Sequence, residues 1–302
     1  MYDRSDPRAA LSAAKPSSAP LPNRFAPPQY GRFYADAPQQ DDPAGKSWYI
    51  RGQNFVLAYT EANAGAVLAR AEQADEYVLL LPDAATRVRI SAGGETKEID
   101  GFSIVMVPPG PSSITALTGG RIVRLISSRA ADMVALCPNA GAYGDTHASI
   151  PPFAPWPEPV GGYRIRAYSL DVPKQPGRFG RIFRCTTFMV NILDPQVGPR
   201  DITKLSPHHH DDFEQCSLSV EGAFMHHLRW PWGVDMNAWR DDEHQHFGTP
   251  SALVIPPPCI HTSRGLEAGT NQLIDIFSPP RIDFSLQTGW VLNAEDYPMP
   301  GA

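Results

Sequence analysis

The chain has 302 residues, enough for two domains that each bury a core, and its 32 prolines and 24 glycines are typical of turn-rich all-β proteins. A formal net charge of −6, with 19% charged residues, argues against a nucleic-acid or anionic-membrane partner. The absence of an apolar signal sequence, of a run of about 18 apolar residues and of paired cysteine spacings predicts a cytoplasmic protein with reduced thiols.

The N-terminal half begins with an irregular arm and continues as a β module. Residues 1–45 are rich in Pro, Ala, Ser and Asp and lack periodicity, which predicts an arm without regular structure. Residues 46–130 contain strand patterns at a spacing of about ten residues with turn signals between them, typical of a sandwich or small barrel. The predicted strands are 55–59, 76–81, 87–90, 103–107 and 121–126.

The C-terminal half repeats this organisation after a connection. Residues 131–180 are proline-rich, which predicts a linker. Strand patterns resume in residues 181–302, at 183–193, 214–220, 223–228, 251–255 and 271–277.

An internal repeat relates the two halves. Residues 105–110 (V-M-V-P-P-G) match residues 253–258 (L-V-I-P-P-P), so that in each half an apolar strand ends in a proline-rich turn. Three residues after this turn stands Ser113 in the first half and His261 in the second. Glu76 likewise occupies the place that Glu214 has in the second half. We therefore interpret the chain as two divergent β modules.

A cluster of imidazoles distinguishes the second module. Alternate side chains of a strand share a face, so His208 and His210 are expected to point the same way and His209 the opposite way. Glu214, of the same parity, is expected to return to the face of His208 and His210. His208, His210 and the later His261 provide three imidazoles, and Glu214 provides one carboxylate. This set of donors suits Fe, Mn, Ni, Cu or Zn better than Ca or Mg. A mononuclear metal site is therefore the leading hypothesis.

The first module lacks these groups. The residues six and four positions before its glutamate are Arg70 and Glu72, where the second module has histidines. Metal binding is therefore expected in the second module alone.

The same residues resemble the cupin superfamily. His208-x-His210-x3-Glu214 is similar to the first cupin motif, and Pro256-x-Pro258-x2-His261 to the second. The resemblance implies an all-β bicupin with two jelly-roll barrels, of which the N-terminal one is degenerate and the C-terminal one binds metal. It also implies that His208, His210, Glu214 and His261 are the four metal ligands.

Neighbouring polar residues are candidates for supporting roles. His227 and Arg229 share one face of a strand and could bind a substrate carboxylate, although an exposed face of the sheet is the alternative. His209 and Asp211 could orient ligand imidazoles through their second ring nitrogen, or be surface and turn residues. Glu214, if it detaches from the metal, could act as a general base.

By analogy with cupins, the expected activity is oxidation of a small phenolic, enol or keto-acid substrate by O2 at Fe(II), with Mn, Ni, Cu and Zn as other possible metals. Two alternatives remain open. One is an isomerase, lyase or hydrolase that uses the metal as a Lewis acid, and the other is a binding protein without catalysis. A homodimer is a further possibility that the resemblance implies.

Overall fold

The structure is a computed structural model that describes residues 6–11 and 25–301, and its regular structure is almost entirely β-strand. The strands before residue 130 are β1 (Gln29–Gly31), β2 (Gln40–Asp42), β3 (Gly45–Arg51), β4 (Phe55–Ala62), β5 (Val67–Arg70), β6 (Tyr77–Leu81), β7 (Val88–Ala92), β8 (Glu95–Ile99), β9 (Ser103–Val107), β10 (Ser112–Ala116) and β11 (Gly120–Ser127). The strands after it are β12 (Arg166–Ser169), β13 (Arg181–Arg184), β14 (Met189–Ile192), β15 (Gln196–Val197), β16 (Glu214–Glu221), β17 (Phe224–Arg229), β18 (Glu243–Phe247), β19 (Ser251–Ile255), β20 (Ile260–Gly265) and β21 (Thr270–Ser278).

Helices are short. The two α-helices are α1 (Ala131–Ala135) and α2 (Ile282–Ser285), and single 3-10 turns occur at Pro7–Ala10, Ala140–Tyr143 and Met236–Ala238. Within the described residues, no helix has the length and apolar character needed to cross a membrane.

Two antiparallel sheets form the first barrel. One has seven strands in the order β12-β9-β6-β11-β4-β3-β2, and the other has four in the order β5-β10-β7-β8. Side chains of β6 that point into this barrel, Tyr77, Leu79 and Leu81, belong to its apolar core. This interior is therefore largely filled by apolar side chains.

The second barrel has the same plan, but its central strand β16 directs polar side chains into the interior. Its larger sheet has the order β1-β19-β16-β21-β14-β13 with β15 beside β21, and its smaller sheet has the order β18-β17-β20. The side chains of β16 that point into the barrel are Gln215, Ser217 and Ser219, by alternation along the strand. Apolar residues occupy the corresponding places in the first barrel, so the two interiors differ sharply in chemistry.

The two seven-stranded sheets pack against each other. One continuous apolar cluster contains Leu57 and Leu125 of the first barrel together with Cys216 and Ile276 of the second. Along β16, the residues that alternate with the polar set therefore face the other barrel. This alternation decides which side chains reach the interior of the second barrel.

The predicted all-β, two-barrel architecture is confirmed, but its boundaries differ from those that the sequence predicted. Residues 1–5 and 12–24 of the predicted arm lie outside the described residues. Elsewhere in the arm, β1 pairs with β19 of the second barrel and β2 pairs with β3 of the first. The predicted linker contributes β12, which pairs with β9. These strands are three or four residues long, too short for alternation to be recognised, and they are held mainly by pairing with a neighbouring strand.

Candidate metal centre

Three histidines converge inside the second barrel. His208 and His261 form an isolated antiparallel bridge, in which the backbone N–H of each donates to the carbonyl of the other at 3.1 and 2.8 Å. Directly paired residues present their side chains on the same face. His210 follows two residues after His208, and one ring nitrogen from each histidine lies within 4.8 Å of those of the other two. Residues distant in sequence are thus brought together by one strand pairing.

The backbone fixes the tautomer of two of these rings. Nδ1 of His208 lies 2.8 Å from the carbonyl oxygen of Ser206, and Nδ1 of His261 lies 2.9 Å from that of Cys259. Because a carbonyl can only accept, each Nδ1 must carry a proton and donate it. In a neutral imidazole the lone pair then resides on Nε2. Both rings are therefore prepared to bind an ion through Nε2.

Burial keeps the three rings neutral. Loss of hydration lowers the pKa of His208 and His210 well below the usual value, and the neighbouring His261 lowers both further. Burial lowers the pKa of His261 to about 4, although its hydrogen bond to Cys259 opposes the shift. Nε2 of His210 is buried and has no hydrogen-bond partner among the described residues. A buried ring nitrogen without a partner is costly unless something binds it, and an ion would do so.

Gln215 supplies a fourth donor that the sequence analysis missed. Its amide nitrogen donates to Oδ1 of Asp275 and to Oγ of Ser217, both at 3.1 Å. These contacts turn Oε1 toward His261, where it lies 3.3 Å from Nε2. Oε1 of Gln215 and Nε2 of His261 then face each other, each with a lone pair and with no proton between them. Ligand atoms that are each about 2.0–2.2 Å from a shared ion lie about 3 Å apart, so this contact suits two ligands of one cation.

Glu214, predicted as a ligand and as a general base, does not join the histidines. Its carboxylate faces the first barrel, where it accepts backbone hydrogen bonds from Gln53 (2.8 Å) and Asn54 (2.9 Å). A side chain at Gly52 would place Cβ 2.9 Å from Oε1 of Glu214, so glycine permits this approach. The parity argument failed because residues 211–213 form a bend, and a bend between the histidines and β16 resets the alternation.

The comparisons with known proteins rest on structure. No protein-family profile matches the sequence, and no curated relative matches it. The crystal structure of AerE from Microcystis aeruginosa matches with a TM-score of 0.53 at 10% identity, over 85% of this chain and 99% of that one. A formate complex of Lactobacillus farciminis oxalate decarboxylase matches with a TM-score of 0.53 at 12% identity, over 87% and 90% of the two chains. A variant of Bacillus subtilis oxalate decarboxylase matches with a TM-score of 0.50 at 12% identity, over 82% and 76%.

The chain has a bicupin fold. At these identities the likeness concerns the fold alone.

Two residues predicted to bind substrate lie on the outer surface of the second barrel of this bicupin fold. On β17, Phe224, His226 and Leu228 face inward, so His227 and Arg229 face outward. His227 contacts His244 through their Nδ1 atoms, at 2.8 Å, and Arg229 forms an exposed ion pair with Asp242. The predicted common face exists, but it is the outer face of the sheet. Neither residue therefore lines the cavity that leads to the three histidines.

The predicted supporting roles of His209 and Asp211 also need correction. His209 is exposed and Asp211 is half-buried, and neither makes a hydrogen bond to a ligand ring among the described contacts. Backbone carbonyls orient the histidines instead, and Asp275 orients Gln215. Carbonyl acceptors leave no signal in a sequence, which explains why side chains were predicted in their place.

A cavity of about 660 Å³ connects the ligands to the surface. His208, Gln215 and His261 line its inner end, and Arg8, Lys174, Arg178, Arg200 and Lys204 line its outer part together with Asp6 and Asp194. The 3-10 turn at Pro7–Ala10 forms one wall, where the guanidinium of Arg8 lies over the ring of Phe179 at 4.0 Å and donates to Oγ of Ser206. The approach to the histidines is therefore predominantly cationic.

Proposed function

We propose that the second barrel of this bicupin binds one divalent transition metal ion through His208, His210, His261 and Gln215. The observation that carries this proposal is the convergence of imidazoles whose Nδ1 protons are directed at carbonyls, with a glutamine oxygen aimed at the same point. Three nitrogen donors with one oxygen donor suit Fe, Mn, Ni, Cu or Zn, whereas Ca and Mg prefer all-oxygen sites.

The proposed donors are all neutral. A carboxylate ligand would cancel part of the charge of a divalent ion, but Glu214 faces the other barrel and Gln215 contributes an amide oxygen. A bound ion would supply Lewis acidity and, in the case of iron(II), a site for O2 chemistry. The neutral donors favour an anionic substrate, because such a substrate balances the charge that they leave uncancelled.

The cavity favours the same class of substrate. Arg200 is held in place by donation to the carbonyl of Ser263 at 2.9 Å and to Oγ of Ser206 at 3.0 Å. The neighbouring Arg8 is paired with Asp6, and this pair closes one side of the mouth. Guanidinium groups bind carboxylates through two parallel hydrogen bonds. We infer that these arginines orient a small carboxylate, such as a phenolic, enol or keto acid, with its other end toward the histidines.

We assign this site the activity of an Fe(II) dioxygenase. Phe213 and Phe277 pack beside His210 and exclude water from that side of the site, with ring centroids 4.2 and 6.5 Å from the imidazole. Asp275 accepts from Ser217 and Gln215 and thereby holds the amide oxygen toward the centre. Four buried cysteines, all free thiols, support a reducing compartment such as the cytoplasm.

A second candidate is a lyase that uses the metal as a Lewis acid. Two structural neighbours are oxalate decarboxylases, which act on a small carboxylate, and the neutral donors would leave the ion strongly electrophilic. This candidate needs the same ligands and the same cationic mouth, but the reaction need not be an oxidation.

Turnover with and without oxygen tests the proposal. Protein loaded separately with Fe(II), Mn(II) and Zn(II) is assayed on phenolic acids, keto acids and oxalate, both in air and anaerobically, with His261→Ala as the control. The dioxygenase assignment predicts O2-dependent turnover with Fe(II) alone. Anaerobic turnover with a redox-inert ion supports the lyase. If the protein binds metal but shows no turnover under any condition, it is a binding protein without catalysis.

A further inference from the structure

A guanidinium without a carboxylate partner among the described residues lies inside the first barrel. Arg124 is on β11, on the same face as Ile122 and Ile126 of the apolar core, and its residue is only 4% exposed. Its Nε is fully buried and has no hydrogen-bond partner among the described residues, and its polar neighbours are the tyrosines Tyr49 and Tyr77 rather than a carboxylate. Burial lowers the pKa of this arginine, because the loss of hydration disfavours the charged guanidinium. An unpaired buried charge is strongly destabilising.

The strand registers show what Arg124 replaces. Glu76 and Glu214 occupy equivalent positions: Glu76 accepts from the backbone of Thr186 in the second barrel, as Glu214 accepts from the first. Three residues later in each barrel, Leu79 pairs with Arg124 and Ser217 pairs with Asp275. Arg124 therefore stands where the second barrel has the carboxylate that orients Gln215.

A second arginine stands in place of a histidine. Arg70 pairs with Ser112 in the first barrel, as His208 pairs with His261 in the second. The register thus aligns Ser112 with His261, whereas the sequence comparison aligned Ser113. The first barrel has guanidinium groups where the second has an imidazole and a carboxylate. The first barrel therefore favours an anion at the place where the second barrel favours a metal cation.

A cavity of about 280 Å³ gives access to Arg124. Tyr49, Thr60 and Arg70 line it, and their polar groups already have partners: the hydroxyl of Tyr49 donates to Gln40, that of Thr60 contacts Ser47, and Arg70 is paired with Asp132. The charge of Arg70 is thus compensated within the protein. Arg124 is left with its positive charge and with an Nε donor that has no partner among the described residues.

We propose that the first barrel of this bicupin binds a small organic monocarboxylate on Arg124. The planar guanidinium matches a carboxylate through two parallel hydrogen bonds. The single charge of Arg124 calls for a monoanion rather than a dianion such as phosphate, because Arg70 is paired with Asp132 and a further carboxylate, Asp42, lines the cavity. The volume of the cavity, about 280 Å³, lies just below the usual range of ligand pockets, about 300–1,000 Å³, which limits the ligand to a few carbon atoms. This site is separate from the proposed metal centre.

Thermal denaturation of metal-free protein tests the proposal. Acetate, glyoxylate and propionate are compared with chloride at equal ionic strength, in wild type, Arg124→Met, Arg124→Lys and the control Arg89→Met, which removes a charge from the exposed face of the same barrel. A ligand that binds the folded state alone raises the melting temperature with its concentration. We expect a carboxylate-dependent rise in wild type and Arg89→Met that is larger than the rise in Arg124→Met, in which only the arginines of the second barrel can still bind carboxylate. In Arg124→Lys we expect the half-saturation of the additional rise to be at least tenfold weaker.

The ligand-free variants provide a second readout. A buried guanidinium without its ligand destabilises the ligand-free protein. In the absence of carboxylate, Arg124→Met should therefore melt at or above the wild-type temperature. A lower melting temperature, together with an unchanged carboxylate response, would show that Arg124 is structural and would overturn the proposal. It would equally be overturned if the response persists in Arg124→Lys at full strength, or if phosphate alone produces it. If Arg124→Met does not fold, the half-saturation in Arg124→Lys decides the question.

Discussion

At the scale of single residues, two adjacent side chains on β16 have opposite roles. Gln215 points into the second barrel toward His261, and Glu214 points out of it toward Gln53 and Asn54. Both are buried polar groups, but only one of them contributes to the proposed metal centre. The pair therefore allows a matched test in which neighbouring substitutions should have different effects.

Replacing Gln215 with Leu should weaken metal binding by about 10- to 100-fold, because the amide oxygen is removed while the three imidazoles remain. Glu214→Gln should leave the metal affinity within about twofold of wild type. Titration with a competing chelator measures both values. Equal losses in the two variants, or a loss in Glu214→Gln alone, would restore Glu214 as the ligand.

Metal affinity should stay nearly constant down to a lower pH than is usual for histidine ligands. Free imidazole takes up a proton near pH 6.5 and then competes with metal. Burial lowers the pKa of His261 to about 4 and lowers the pKa of His208 and His210 as well. Protons therefore begin to compete only below pH 6.5, as the pH approaches these lowered values. Chelator-corrected Zn(II) affinities should be nearly constant from pH 8 to 6 and should fall in more acidic solution. A steep fall that begins at pH 6.5 would contradict the burial argument.

The residues of the site were predictable only in part. The sequence predicted the three histidines because their spacing and parity carry a pattern. It could not place Gln215, since the bend at residues 211–213 shifts the alternation by one position and no local signal shows this. The same uncertainty led to outward-facing His227 and Arg229 being assigned to the substrate. Which face of a strand is inner depends on sheet packing, which the local pattern leaves open.

At the scale of elements, two buried carboxylates tie the barrels together. Glu214 accepts from the turn between β3 and β4, and Glu76 accepts from the backbone and hydroxyl of Thr186, in the turn between β13 and β14. The hydroxyl of Tyr297 also donates to Glu76, at 2.7 Å. Each barrel thus satisfies backbone groups of the hairpin turn of the other.

Removing either carboxylate should lower stability without altering the histidines. Glu214→Ala leaves two buried backbone N–H groups without acceptors, which costs about 1–3 kcal/mol for each group. Chemical denaturation measures the free energy of unfolding, and Glu76→Ala is the matched variant on the other side of the interface. A loss under about 0.5 kcal/mol in both variants would show that water replaces the carboxylates easily.

Short edge strands were among the elements that the sequence could not predict. β1 has three residues and adds to the edge of the second barrel, far along the chain from its partner β19. Tyr30 of this strand packs on Phe247 with 5.7 Å between ring centroids. The sequence also missed five longer strands of five to seven residues: β3, β8, β10, β18 and β20. The strands that it did predict carry an alternation or an apolar run. A three-residue edge strand shows neither.

At the scale of the whole molecule, the second barrel depends on the first. Its larger sheet is covered by the sheet of the first barrel, its β1 comes from the N-terminal part of the chain, and Glu214 needs backbone donors near residue 53. The isolated fragment 181–302 would expose the apolar face of β16 and β21 to water. A bicupin built in this way is expected to unfold as one unit.

Fragment 181–302 should therefore fail to fold by itself. We expect it to lack a cooperative unfolding transition and to bind metal at least tenfold more weakly than the full chain. Circular dichroism during heating and a metal titration measure these two properties, with the full chain as reference. A fragment that melts cooperatively and retains full metal affinity would show that the barrel interface is dispensable.

The central claim is that the second barrel is a mononuclear metal centre, and the metal content of the purified protein tests it most directly. Elemental analysis after loading and desalting should find about one transition-metal ion per chain in wild type and in Glu214→Gln. It should find a small fraction of that in His208→Ala, His210→Ala and His261→Ala. A wild-type protein that retains no ion, or histidine variants that retain as much as wild type, would contradict the claim.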